Sequence, residues 1–129
     1  MNVVDSSGWV EYFIDGPNAS FFAPPIEDTR NLVVSVISLY EVFKKTLQDQ
    51  GEGEALKAVA QMKQGRIYDL DEGLALSAAK LSLQLKLPMA DSMILAVARA
   101  HRAMLWTQDE HFRKMEGVRY IAQKMKERH

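Results

Sequence analysis

Five apolar segments of strand length recur along the chain, and the intervals between them carry the spacing of helices. The segments are Asn2 to Asp5, Leu32 to Ser35, Arg66 to Leu70, Met104 to Thr107 and Val118 to Ile121. Between the first two, Trp9, Val10, Tyr12 and Phe13 suggest a short helix ending near Gly16-Pro17. A second short helix is expected over Asn18 to Ala23, stopped by Pro24-Pro25. Leu39, Phe43 and Leu47 recur every four residues and predict a helix from Val36 to Gln50. Gly51 and Gly53 interrupt it, and Glu54 to Gln64 reads as the next helix, with Gly65 as its cap. Asp71 opens a helix that reaches about Leu85. Pro88 separates it from a helix over about Ala90 to His101, apolar on almost every face and therefore expected to be buried. Glu110 to Met115 is a short helix ahead of the last strand, and a basic tail follows over about residues 122–129.

Short strands alternating with helices specify an α/β domain built on a central, mainly parallel five-stranded sheet, with right-handed crossovers placing helices on both faces. The 129 residues fit one domain, 1–129. A chain of this length buries roughly 70% of its extended surface, enough for a real core. No cysteine is present, which excludes a disulfide framework, an iron–sulfur cluster and a thiolate zinc site and suits a reducing cytoplasm. The apolar runs are too short to cross a bilayer, and Met1 to Asp5 carries no basic leader, so neither a membrane nor a secretion route is expected.

In a parallel sheet the carboxyl ends of the strands share one edge, where ligands bind. Asp5 follows the first strand, Glu41 stands in the helix after the second, and Asp109 follows the fourth with Thr107 just before it. Carboxylates crowded there repel one another, and protons or hard divalent cations must offset the repulsion. Such cations could activate water and stabilise the leaving oxygen of a phosphoryl displacement. Each acid also has a structural reading. Asp5, Asp91 and Asp109 precede helical segments and could be N-caps, and Ser38 to Glu41 matches a capping box.

Four motifs together carry a resemblance. Val3-Val4-Asp5-Ser6-Ser7, Ser38-Leu39-Tyr40-Glu41-Val42, Ala90-Asp91-Ser92-Met93-Ile94-Leu95-Ala96 and Leu105-Trp106-Thr107-Gln108-Asp109-Glu110-His111-Phe112 resemble the PIN domain, in particular the VapC toxins, in order and spacing over essentially the whole chain. The resemblance implies that Asp5, Glu41, Asp91 and Asp109 form one pocket holding Mg²⁺ or Mn²⁺, with Ser6 and Thr107 supporting the acids. It implies a metal-dependent endoribonuclease that leaves a 5′-phosphate and a 3′-hydroxyl, a homodimer, and inhibition by a small VapB-type antitoxin in a type II toxin–antitoxin pair. Strand topology alone does not nominate Asp91. Two features depart from the pattern: Glu110 follows Asp109, and Ser92 stands where a small apolar residue is usual.

Net charge is −1, so any grip on RNA must rest on local cations or metal. Basic residues gather late, at Arg99, Arg102, Arg113, Lys114, Arg119, Lys124, Lys126 and Arg128. The three histidines, His101, His111 and His129, form no metal spacing with one another, and His111 is expected at the surface. Trp9, Tyr12 and Phe13 are expected in the core or at a dimer contact rather than stacked on bases. Two other readings remain: an inactive PIN-fold module that binds RNA, and a phospho-accepting receiver-like signalling domain. The second needs an acceptor at Asp69 or Asp71 and a lysine after a late strand; Leu105-Trp106-Thr107-Gln108 offers none.

Overall fold

The computed structural model describes residues 1–124, and within them the five segments form one parallel sheet. The strands are β1 (Asn2–Val4), β2 (Leu32–Ser35), β3 (Arg66–Tyr68), β4 (Met104–Thr107) and β5 (Val118–Tyr120), in the order β3-β2-β1-β4-β5. Every neighbouring pair is parallel. Six helices connect them: α1 (Ser6–Phe13), α2 (Ala19–Glu27), α3 (Val36–Gln50), α4 (Glu52–Met62), α5 (Glu72–Leu85) and α6 (Met89–Ala100). The basic tail lies outside the described residues from residue 125 onward, and Lys126, Arg128 and His129 with it.

The strand period of two splits the core between the sheet's faces. Val3, Val33 and Leu105 join Ile94, Leu95, Val97 and Phe112 on one side. Val4, Leu32 and Val34 join Trp9, Phe22, Ile26, Val42 and Met62 on the other. Adjacent valines of one strand thus feed opposite layers, which is why β1 and β2 are apolar at nearly every position. Trp9 is fully buried and stacks on Phe13 at 5.6 Å, a core role. The interior of α6 is buried from Ile94 to Ala98, as its all-round apolarity required. No single helix among the described residues is long and apolar enough to cross a membrane.

Several boundaries differ from those read in the sequence. Helix α2 does not stop before the prolines; it carries Pro24 and Pro25 inside it and ends at Glu27. Proline removes a backbone donor and costs ~3 kcal/mol in a helix interior, but burial of Phe22, Pro25 and Ile26 offsets that loss. Gly53 lies within α4, and only Gly51, with φ of 90°, breaks the chain between α3 and α4. Lys63, not Gly65, caps α4. The helix expected over Glu110 to Met115 shrinks to a 3-10 turn at Glu110–Phe112. The capping box at Ser38 to Glu41 does not form: Ser35 caps α3 by accepting from the Ile37 amide at 3.1 Å. Ser38 and Glu41 therefore stand inside α3, free for other partners.

Candidate metal centre

The carboxyl edge of the sheet is where Asp5 and Asp109 leave β1 and β4, which are neighbours. Asp5 ends β1 with its amide donating to the Trp106 carbonyl at 2.9 Å, and its side chain caps α1 by accepting from the Ser6 amide at 2.8 Å. The capping reading thus holds for this residue. Its other oxygen accepts from the Ser7 hydroxyl at 3.0 Å and the Thr107 hydroxyl at 2.9 Å. Thr107 is fully buried and also accepts from the Asp109 amide at 2.9 Å. One hydroxyl therefore fixes both acids: it donates to the first and holds the backbone of the second.

Asp91 arrives by another route. Lys86 closes α5 in the left-handed region at φ 55°, and Pro88 starts α6 at an angle of 115° to α5. Asp91 falls in the first turn of α6, three residues past the Pro88 cap position, so it is not itself an N-cap. Ser92, the unusual neighbour, is buried, and its hydroxyl donates to the Met89 carbonyl at 2.7 Å, leaving no unmet polar group.

Asp5, Asp91 and Asp109 act on one another. Burial raises the Asp5 carboxyl to about 6; the hydrogen bonds from Thr107, Ser7 and Ser6 work against this, while the Asp109 charge adds to it. Burial also raises Asp91, to about 7, reinforced by the charges of Asp109 and Asp5 and by a hydrogen bond with Asp109, with His111 opposing. Like charges held in a desolvated pocket favour a bound proton or a cation. Glu41 approaches from α3 through Ser6, whose hydroxyl donates to its carboxylate at 2.7 Å and lies 3.3 Å from that of Ser38. Glu110, beside Asp109, is exposed, and the contacts into the pocket belong to Asp109.

The surface position expected for His111 holds only in part. Its ring is half-exposed, but Nδ1 lies 3.0 Å from Asp91 and 2.9 Å from Asp109. The only sequence signal for this is its place two residues beyond Asp109. Its backbone amide also donates to Asp109 at 2.9 Å, so the acid caps the turn that carries the histidine. Oxygen and nitrogen atoms of Asp91, Asp109 and His111 all lie within 4.8 Å of one another. The donor set, mostly hard oxygen and crowded with carboxylates, fits a divalent cation.

An open depression of about 660 Å³ adjoins the acids, lined by Ser7, Gln108, Asp109, Glu110, His111 and Gln123. Gln108 is held from behind by Asn18, whose amide nitrogen donates to it at 3.0 Å and to the Ala122 carbonyl at 3.0 Å. Of the basic residues, Arg119 lies over the Trp106 ring at 5.1 Å, while Arg99 and Arg102 line a separate cavity beside Met104 and Glu116. Asp69 and Asp71 follow the edge strand β3, two strands from β1, and Asp71 caps α5. The acceptor position of a receiver-like domain is therefore not beside Asp5.

The family profile described as PIN domain matches residues 3–118. No curated protein sequence matches the chain. Among solved structures, a toxin–antitoxin complex from Klebsiella pneumoniae aligns with a TM-score of 0.75 at 22% identity, over 92% of this chain and 95% of that one. A DNA-bound VapBC complex from Salmonella typhimurium aligns at 0.73 and 17% identity, over 95% and 98%. A sarcin–ricin-loop-cleaving VapC toxin from Mycobacterium tuberculosis aligns at 0.68 and 15% identity, over 81% and 85%.

Proposed function

The chain belongs to the PIN-domain family, and from that premise we propose that it is a divalent-metal-dependent endoribonuclease, the VapC-type toxin of a type II toxin–antitoxin pair. One observation carries the reading: Asp5, Asp91 and Asp109, far apart in sequence and set on three different elements, lie close enough for their charges to oppose one another, and burial disfavours Asp5 and Asp91 as bare anions. Asp5, Glu41, Asp91 and Asp109 would hold Mg²⁺ or Mn²⁺. Bound there, such ions would lower the pKa of an attacking water and neutralise charge building on the phosphate.

The chain's own residues do the placing. Thr107 keeps Asp5 and Asp109 in register, and Ser6 ties Glu41 to the residue after Asp5. The depression beside Asp109 gives an RNA strand room to lay a phosphodiester against the acids. Water adds to phosphorus, the bond to the 3′-oxygen breaks, and the leaving oxygen takes a proton, giving a 5′-phosphate and a 3′-hydroxyl. No side-chain nucleophile is required. The similarity to toxin–antitoxin complexes and to a toxin that cleaves the sarcin–ricin loop supports RNA as substrate and a small VapB-type antitoxin as partner; a homodimer in the cytoplasm completes the proposal.

Incubation with end-labelled RNAs tests the reading. Cleavage is expected with Mg²⁺ or Mn²⁺, lost in excess chelator and restored when Mn²⁺ is returned, with 5′-phosphate ends. Cleavage that persists in chelator, or products ending in a 2′,3′-cyclic phosphate, would contradict it, because the second requires attack by the RNA's own 2′-hydroxyl.

A further inference from the structure

We propose that His111 is a ligand of this metal centre, contributing Nδ1 beside the carboxylates of Asp91 and Asp109, and that the resulting nitrogen–oxygen donor set selects Mn²⁺ over Mg²⁺. The inference rests on the metal-dependent reading above. It adds a fifth ligand to the four acids and a metal preference they leave open.

The geometry supports direct ligation. Nδ1 stands 2.9 Å from Asp109 and 3.0 Å from Asp91. In an octahedral site with bonds of ~2.1 Å, adjacent ligand atoms are separated by ~3.0 Å. The histidine nitrogen therefore already stands at that spacing from each of the two oxygens, and all three atoms lie within 4.8 Å of one another. The ring is held there by its surroundings. Phe112, the next residue, is fully buried in the core beneath α6. The Phe112 amide donates to the Asp109 carbonyl at 3.1 Å, and the His111 amide to the Asp109 side chain at 2.9 Å. The turn thus presents imidazole and carboxylate together. His101 offers a contrast: its Nδ1 is engaged by the Val97 carbonyl at 2.8 Å and its ring packs against Tyr68 at 3.9 Å.

Donor chemistry then sets the preference. Mg²⁺ demands oxygen and keeps much of its own water, whereas imidazole suits transition metals, and N/O sites rank Mn²⁺ at the low end of a series that continues through Fe²⁺ and Co²⁺. A single nitrogen among carboxylates therefore tilts the site away from Mg²⁺ and toward Mn²⁺.

The test is metal binding by the full chain, read by calorimetry and by pulsed electron paramagnetic resonance of bound Mn²⁺. The wild-type spectrum should show modulation from a coordinated nitrogen, and His111→Ala and His111→Gln should both abolish it. Both variants should weaken Mn²⁺ binding about tenfold or more, and Mg²⁺ binding about threefold or less. Mn²⁺ bound at the acids without nitrogen modulation would overturn the proposal and leave the ribonuclease reading intact. Tighter Mn²⁺ binding in the variants would overturn it too, marking His111 as a positive charge that ions must displace. A wild-type protein that binds neither ion would overturn both readings.

Discussion

Replacing Asp91 with asparagine is expected to lower RNA cleavage by about 10³-fold or more while leaving the fold unchanged. Losing a single preorganised electrostatic group from an active site costs about 10² to 10³ in rate, and here the lost group is a charged ligand rather than a neutral donor. The carboxamide has nearly the shape of the acid but neither its charge nor a second strong acceptor. The fold should tolerate it, because Asp91 is not a helix cap and its neighbours in α6 are held by their own packing. Growth inhibition on expression should vanish in parallel. A variant that keeps cleavage within about tenfold of wild type would mean that Asp91 does not carry the charge on which the chemistry depends.

Without metal, the same charge should cost stability at neutral pH. Asp5 and Asp91 are raised to about 6 and about 7 in the folded chain, whereas an unfolded aspartate titrates near 3.9. Between those values the folded state binds more protons than the unfolded one, so stability falls as pH rises. The stabilisation is fully present below about pH 4 and lost on passing through pH 6 to 7. Every tenfold difference in proton affinity between folded and unfolded chain is worth ~1.4 kcal/mol. With Asp91, which is partly exposed, discounted for solvent screening, the two acids together account for on the order of 2–4 kcal/mol. Over a chain of this size that is roughly 10 °C in Tm. Asp91→Asn isolates the effect from other titrations. Variant and wild type should melt together near pH 4.5, and the variant should melt several degrees higher at pH 8 in chelator. A variant that melts lower at pH 8 by as much as at pH 4.5 would show that Asp91 is not strained by its neighbours.

The fold class was legible because a parallel sheet buries both faces, and runs such as Val3-Val4 and Leu32-Val33-Val34 leave no polar side. Asp5 and Asp109 were legible for a related reason: a residue just past a parallel strand has a fixed edge to lie on. Asp91 was not, since its place depends on the bend between α5 and α6, which tertiary packing sets; it came from the resemblance alone. The prolines of α2 misled because their local cost is visible in sequence and the burial of Phe22 and Ile26 that offsets it is not. Ser38 to Glu41 matched a capping box because capping is a local pattern; Ser35, three residues earlier, took the cap, and Ser6 from another element engaged Glu41. His111 was illegible as a ligand because its partners are not histidines at a metal spacing but acids from α6 and the end of β4, which only the folded chain brings together.

Crystals of the wild-type protein grown with Mn²⁺ and measured near the manganese absorption edge would address the metal centre without reference to activity. An anomalous peak within ~2.2 Å of carboxylate oxygens from Asp91 and Asp109, with Asp5 in the same coordination sphere or one water removed, is the expected map. A map with no peak at those acids in millimolar Mn²⁺, or one that places Asp91 on another side of the molecule from Asp5, would contradict the account.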